Sequence, residues 1–224
     1  MHAEPTGSDP AYLAPYQEAV RRHGAGFAAT LWGSRATQIL RFDVMDELLP
    51  LEGRRILDLG CGQGDLAARL MERGVVFDAF LGIDAVPEMV ERASGRDLPR
   101  CTFQVADLLN DPAALTAWPA DVVCISGTLN TMDVDVARDL VSRCFAHAAH
   151  GIVFNFLSDR PHERWEAREL APARRFPTID WLDWALARTS RVRFDQLYLD
   201  GHDATIAMLH DGDDRADVES AAGS

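Results

Sequence analysis

Three aspartates and three glycines stand at spacings that could hold a ligand. Asp58 opens the run D-L-G-C-G-Q-G, which brings Gly60, Gly62 and Gly64 in quick succession. Glycines set so closely let a backbone turn sharply and a ligand approach it. Asp84 follows 26 residues after Asp58, and Asp107 lies further on still. Carboxylates so placed can take a cationic nitrogen, a pair of ribose hydroxyls and an amino group. The glycine spacing argues against one familiar ligand. A dinucleotide loop has its third glycine three places after the second, and here that place is Asp65. An acid at a helix start repels a pyrophosphate, so the loop suits a ligand without phosphate there, preferably a cationic one.

These groups need a strand–loop–helix frame. Ile56, Leu57 and Leu59 predict a short buried strand before the glycines, and the helix after them spans Asp65–Arg73, ending at Gly74. Further strands are expected at Ala79–Ile83, Thr102–Val105, Asp121–Ile125 and Gly151–Leu157. The first two close on Asp84 and on Ala106-Asp107. Helices are expected at Pro87–Ala93, from Asp111-Pro112 to Ala117, and at Val134–Ala149. Ser158–Pro177 is charged and proline-interrupted, an irregular connection with a helical piece at His162–Leu170. A helix Thr178–Ala187, capped by Thr178, leads to strands Val192–Leu199 and Ala204–Leu209, joined at Asp200-Gly201 as a hairpin. Upstream, one helix runs from Asp9-Pro10 to Arg22. A second, Ser34–Leu49, carries Ile39, Leu40, Val44, Leu48 and Leu49 at helical spacing. Strands alternating with helices imply a parallel doubly wound α/β sheet, with the closing hairpin turning the last strand antiparallel. Three acids at the ends of three successive strands then converge on the crevice where such sheets bind ligands.

The organisation expected is a flexible 1–9, one domain over 10–210 (N-terminal helices 10–53, core 54–210), and a disordered acidic tail 211–224. At 224 residues a sizeable core is affordable. The net charge of −13 disfavours nucleic acid as main partner. All 22 basic residues are arginine, so no lysine can act as base, Schiff-base former or phosphate ligand. Cys61, Cys101, Cys124 and Cys144 form no close pair, and no His/Asp/Glu spacing resembles a metal site, so reduced thiols and no metal are expected. With no secretory signal and no long apolar run, a cytoplasmic protein off the membrane is expected, as monomer or homodimer.

The segments ILDLGCGQG, LGIDAVPEMVERA, FQVADL and ADVVCISGTLN together resemble the consecutive motifs of the class I S-adenosylmethionine (SAM)-dependent methyltransferases, over roughly Arg54 to His210. The resemblance implies a Rossmann-like seven-stranded sheet of order 3-2-1-4-5-7-6 with N-terminal helices capping the cofactor site. It implies that Asp58, Gly60, Cys61 and Gly62 line the methionine part of SAM, that Asp84 holds the ribose, and that Ala85 and Met89 flank the adenosine. Asp107 and Leu108 would meet the adenine, and Ser126-Gly127 would lie under the methyl donor. In such enzymes the N-terminal helices cover the cofactor, so Arg35, or secondarily Arg41, is expected to pair with the SAM carboxylate while Trp32 packs over the methionine.

Acceptor-side candidates follow strands four and five: Thr128, Asn130, Thr131, Asn155, Asp159, His162 and Trp165. His162 is the natural base if an oxygen is methylated. The Asn/Asp-Pro-Pro-aromatic motif of amino-methylating enzymes is missing, the sequence there being SGTLNTMD. The leading expectation is methyl transfer from SAM to a small molecule. Protein methylation, a non-catalytic SAM-binding module and, less favoured, a nicotinamide dehydrogenase stand as alternatives.

Overall fold

A computed structural model describes residues 11–107 and 109–211. Two helices, α1 (Ala14–His23) and α2 (Arg35–Leu48), precede an alternation of strands and helices. In order these are β1 (Arg55–Leu59), α3 (Asp65–Glu72), β2 (Ala79–Asp84), α4 (Pro87–Ser94), β3 (Cys101–Val105), α5 (Ala113–Thr116), β4 (Val122–Ile125), α6 (Val134–His147) and β5 (Gly151–Leu157). The chain ends in α7 (Thr178–Leu186), β6 (Val192–Asp195) and β7 (Asp203–Leu209). The strands form one sheet of order β3-β2-β1-β4-β5-β7-β6. β1 pairs in parallel with β2 and β4, and β7 runs antiparallel to both β5 and β6. This is the architecture the resemblance implies.

Strand periodicity assigns side chains to the two faces. Leu57, Leu59, Val123, Ile125, Ile152 and Phe154 pack under α5, α6 and α7. Ile56, Phe80, Val122, Cys124 and Val153 pack on the other face against α2 and α3. Trp181 of α7 fills the first core beside Phe154, Phe156 and Phe176. Both faces of the central strands are covered, so their sequences are predominantly apolar, interrupted by Asp58 in β1 and Asn155 in β5.

Three expectations need correction. The stripe of α2 that turns inward is Gln38, Arg41, Phe42, Val44 and Met45, while Leu40 is exposed. Gln38 and Arg41 are drawn in by acids, Asp65 and Asp203 respectively. β6 stops at Asp195 instead of Leu199, and no two-residue hairpin follows. The Gln196 amide donates to Ser158 Oγ (2.9 Å), Arg160 O (2.8 Å) and Gly201 O (3.2 Å), pulling the chain out of the sheet into a 3-10 turn, Tyr198–Gly201. The irregular connection after β5 contains a single 3-10 turn at Glu163–Trp165, and the Ser158–Phe176 bridge closes it. The expectations for residues 1–10, Leu108 and 212–224 fall outside the described residues. Among the described residues no helix is long and apolar enough to cross a membrane.

Candidate active site

The glycine loop is set by β1 and β2 together. The N–H groups of Gly60 and Cys61 both donate to Ile83 O, at 2.8 and 3.1 Å. Gly60 has φ +72°, and a Cβ there would fall 2.0 Å from Thr128 Oγ1, which itself donates to Leu59 O (3.1 Å). Only glycine tolerates that backbone and that approach. Asp84 braces the loop from β2: its Oδ2 accepts from Gly62 N (2.9 Å) and its Oδ1 from Val86 N (2.9 Å). One carboxylate therefore orders both the loop and the approach to α4.

Behind this loop opens a cleft whose volume, counted with the solvent open to it, is about 1040 Å³. Four carboxylates line it, those of Asp58, Asp65, Asp84 and Asp107, and among the described residues no arginine or histidine does. Asp58 is 3% exposed. No hydrogen bond or ion pair reaches it among the described residues. Burial, and then the charges of Asp84 and Asp65, push its pKa up to about 8. A buried acid without a partner is costly to the fold, and a ligand cation relieves it. Asp65 differs, being held by Arg96 (2.7 Å) and Gln38 (3.2 Å).

The structure brings most of the expected cofactor residues to this one cavity. Asp58, Gly60, Cys61, Gly62, Asp84, Ala85, Met89, Asp107, Ser126, Gly127 and Trp32 all line it. Cys61 is buried and its thiol is pushed well above its ordinary pKa by desolvation, which suits packing and not nucleophilic attack. Asp107 is already engaged, by the Tyr12 hydroxyl, Leu109 N (3.0 Å) and Asn110 Nδ2 (2.8 Å), so it also fastens the N-terminal segment over the cavity. Trp32 lies against Gly127, where a Cβ would stand 2.4 Å from the indole.

Arg35 is not brought to the cavity. Its side chain is 59% exposed, 3.8 Å from Asp65 and 5.0 Å above the Phe27 ring. Asp65 faces the same cavity and takes the guanidinium from outside, which removes it from the ligand. Arg41 is no substitute, because Asp203 binds it bidentately (2.7 and 2.5 Å). The Arg35→Ala variant should therefore keep its affinity for S-adenosylhomocysteine within about twofold by calorimetry, as expected for an exposed ion pair.

A second cavity adjoins the first and shares Tyr16, Thr30, Trp32, Gly127 and Thr131 with it. Beyond that shared wall it is lined by Asn130, Leu157, Trp165, Arg168 and His202, among others. Several of the acceptor-side candidates are committed to structural hydrogen bonds. Asn155 is fully buried, and its amide clamps the loop after β4: Oδ1 accepts from Gly127 N (2.8 Å), and Nδ2 donates to Ser126 Oγ (3.3 Å). Asn130 lines the second cavity, but its Oδ1 accepts from Leu157 N (2.8 Å). His162 is exposed, lines neither of the two cavities, and uses Nδ1 to accept from Arg164 N (3.3 Å) at the head of a 3-10 turn. Asp159 likewise caps α7 through Thr178 N (2.9 Å). Thr131 remains at the junction, with Oγ1 buried and without a hydrogen bond.

Sequence reasoning missed Tyr12, Tyr16, Gln38, Arg168 and His202. The two tyrosines did leave a signal, four residues apart on one side of an expected helix. Gln38 and Arg168 had none, and His202 was masked by its place in an expected turn. Among the described residues no group of three or more His, Cys, Asp or Glu could hold a metal ion.

Sheet order, glycine loop and acid-lined cavity define a Rossmann-like methyltransferase fold, and residues 56–151 match the sequence model of the methyltransferase domain. Residues 56–151 thus carry a methyltransferase domain, and the fold is that of the class I SAM-dependent methyltransferases, whose solved members hold SAM or S-adenosylhomocysteine. An uncharacterized methyltransferase of Mycobacterium tuberculosis is 45% identical over 49 residues, 22% of this chain and 19% of that protein. A methyltransferase of Aspergillus campestris, cpsF, is 29% identical over 140 residues, 60% of this chain and 49% of that one. The chain thus spans half or less of the length of these curated relatives. Among solved structures, magnesium protoporphyrin IX methyltransferase from Synechocystis with bound SAM superposes with a TM-score of 0.62 at 15% identity, covering 92% of this chain and 100% of that one.

Proposed function

We propose that this chain is an enzyme that binds SAM in the acid-lined cavity and methylates a small molecule held in the adjoining one. The observation that carries the reading is Asp58, a buried carboxylate with no partner at the floor of a cavity lined by acids. SAM, when bound, supplies a methyl carbon activated by a sulfonium and leaves as S-adenosylhomocysteine. Its ammonium answers Asp58. Ser126 and Gly127, fixed by Asn155, lie where the two cavities meet.

What the chain contributes at that junction is alignment and dryness, which is what an in-line displacement requires. Tyr16 stands there with its phenol pushed up to about 12, by burial first and by the Asp84 charge after it. It stays protonated and orients without acting as a base. The net charge of −13 speaks against a nucleic acid as acceptor.

Thermal shift with SAM, S-adenosylhomocysteine and NAD tests the cofactor half: the first two should raise Tm by mass action and NAD should not. Stabilisation by NAD alone would overturn the reading. Labelled methyl transfer to a small-metabolite extract tests the enzymatic half. A protein that binds SAM but labels only macromolecules would replace the small acceptor with a protein or nucleic acid.

A further inference from the structure

The two adjoining cavities differ in their charged lining. The first presents four carboxylates and, among the described residues, no cationic side chain. The second presents Arg41, Arg168 and His202 against a single acid, Glu169, which turns its Oε1 onto the amides of Leu170 (3.0 Å) and Ala171 (2.9 Å). Arg41 is already matched by Asp203. Arg168 is not: among the described residues no acid or carbonyl takes its guanidinium. That group reaches across the cavity mouth to Gly33, where a Cβ would stand 3.0 Å from Nη2, and it lies 5.2 Å from the Trp165 ring centroid.

His202 offers a second donor, and its tautomer follows from its neighbour. Arg175 Nη2 lies 3.2 Å from His202 Nδ1. A guanidinium can only donate, so Nδ1 accepts and the proton of the neutral ring sits on Nε2. Burial and the surrounding arginines hold the imidazole pKa down at about 4, so the neutral form persists at physiological pH. Nε2–H makes no hydrogen bond among the described residues, and the ring stacks on Trp165 at 4.3 Å. His202 is therefore a fixed donor and not a base. Trp165 adds an indole N–H that is buried and without a partner. The rest of the wall sets an apolar side of Trp32, Leu157 and Leu170 against the hydroxyls and amide of Tyr16, Thr30, Thr37, Asn130 and Thr131. One free guanidinium and one imidazole N–H match the two oxygens of a planar carboxylate. No glycine-rich run of backbone amides is there to cradle a phosphate.

We propose that the second cavity selects a carboxylate-bearing small molecule with an apolar body, gripped by Arg168 and by His202 Nε2–H. This rests on reading that cavity as the acceptor site. An anionic acceptor beside a sulfonium would also be favoured by charge pairing.

The test uses the whole chain loaded with S-adenosylhomocysteine, titrated by ligand-observed NMR. The probes are salicylate and indole-3-acetate, each against its amide. At least one acid should bind tenfold or more tightly than its amide. Arg168→Gln, an exposed position, should erase that preference while leaving S-adenosylhomocysteine affinity unchanged by calorimetry. His202→Phe should reduce it, with Tm recorded to show that the fold persists. Acids binding no better than amides, or a preference surviving in Arg168→Gln, would overturn the proposal, as would an acid that displaces S-adenosylhomocysteine. Failure of the unmodified chain to bind S-adenosylhomocysteine would instead overturn the cofactor reading beneath it.

Discussion

Asp58→Asn should lose S-adenosylhomocysteine affinity by on the order of 100-fold or more and yet make the ligand-free protein more stable. The two effects share one cause. The carboxylate is buried without a partner beside Asp84 and Asp65. In the free protein its proton is retained to about pH 8, whereas an unfolded aspartate releases it near pH 3.9. The native state thus binds more protons than the unfolded chain across that window, and stability falls as pH rises through it. Asparagine removes that slope. Thermal melts of the free proteins at pH 5 and pH 8.5 should show a steeper loss for the parent than for Asp58→Asn. At neutral pH the variant's Tm should stand several degrees higher. The ligand ammonium reverses the sign, since it favours the ionised acid, and a buried charge-assisted contact is worth several kcal/mol. Equal affinity in parent and variant would remove Asp58 from the site. A variant Tm below the parent's would mean that the carboxylate has a structural partner.

The second large effect is expected at Arg41. Its Nε and Nη2 meet both oxygens of Asp203 at 2.7 and 2.5 Å, Nη1 donates to Thr37 O (2.8 Å), and the guanidinium lies 4.5 Å from the Trp32 ring centroid. Both partners are buried. Burial still pushes the Asp203 pKa upward against the pull of Arg41. Losing one member strands the other charge, so Arg41→Ala should cost about 3–5 kcal/mol. At roughly 2–4 °C per kcal/mol for a chain of this size, Tm should drop by about 6–20 °C. Replacing both together, Arg41→Met with Asp203→Leu, should recover most of it, because an apolar pair leaves nothing unpaired. Denaturant midpoints with unchanged slopes would confirm a loss of stability alone.

What was legible in the sequence was whatever is written in consecutive residues. β1, the glycine loop and Asp84 lie in one short reach of chain, and a strand–turn–helix unit forces their side chains together. Asp65 could be read as an obstacle to pyrophosphate because the loop fixes its distance from Gly62. The second cavity's wall is different. Gly33, Trp165, Arg168 and His202 come from three remote segments, and no spacing relates them. His162 looked like the useful histidine because it follows a strand end, but the connection after β5 turns it to solvent and brings His202 in beside Arg175. The polar positions of α2 misled for a similar reason. Arg41 was expected to turn toward the cofactor, and Gln38 went unread, because nothing local shows that their acids, Asp65 and Asp203, lie beneath them.

The reversal of β7 has a consequence for how the molecule is assembled. In a parallel strand, residues reach the ligand-bearing edge of the sheet at its carboxyl end. β7 runs the other way, so it delivers its first residues there, and Leu157 of β5 faces Asp203 across the pair. Asp203 and the preceding His202 thus join a rim otherwise built by strand ends much earlier in the chain. A nascent chain that has emerged only as far as β5 already holds the acids and glycines of the first cavity. It lacks the anchor for Arg41 and one wall of the second. The second cavity therefore cannot close until the last strand inserts between two others.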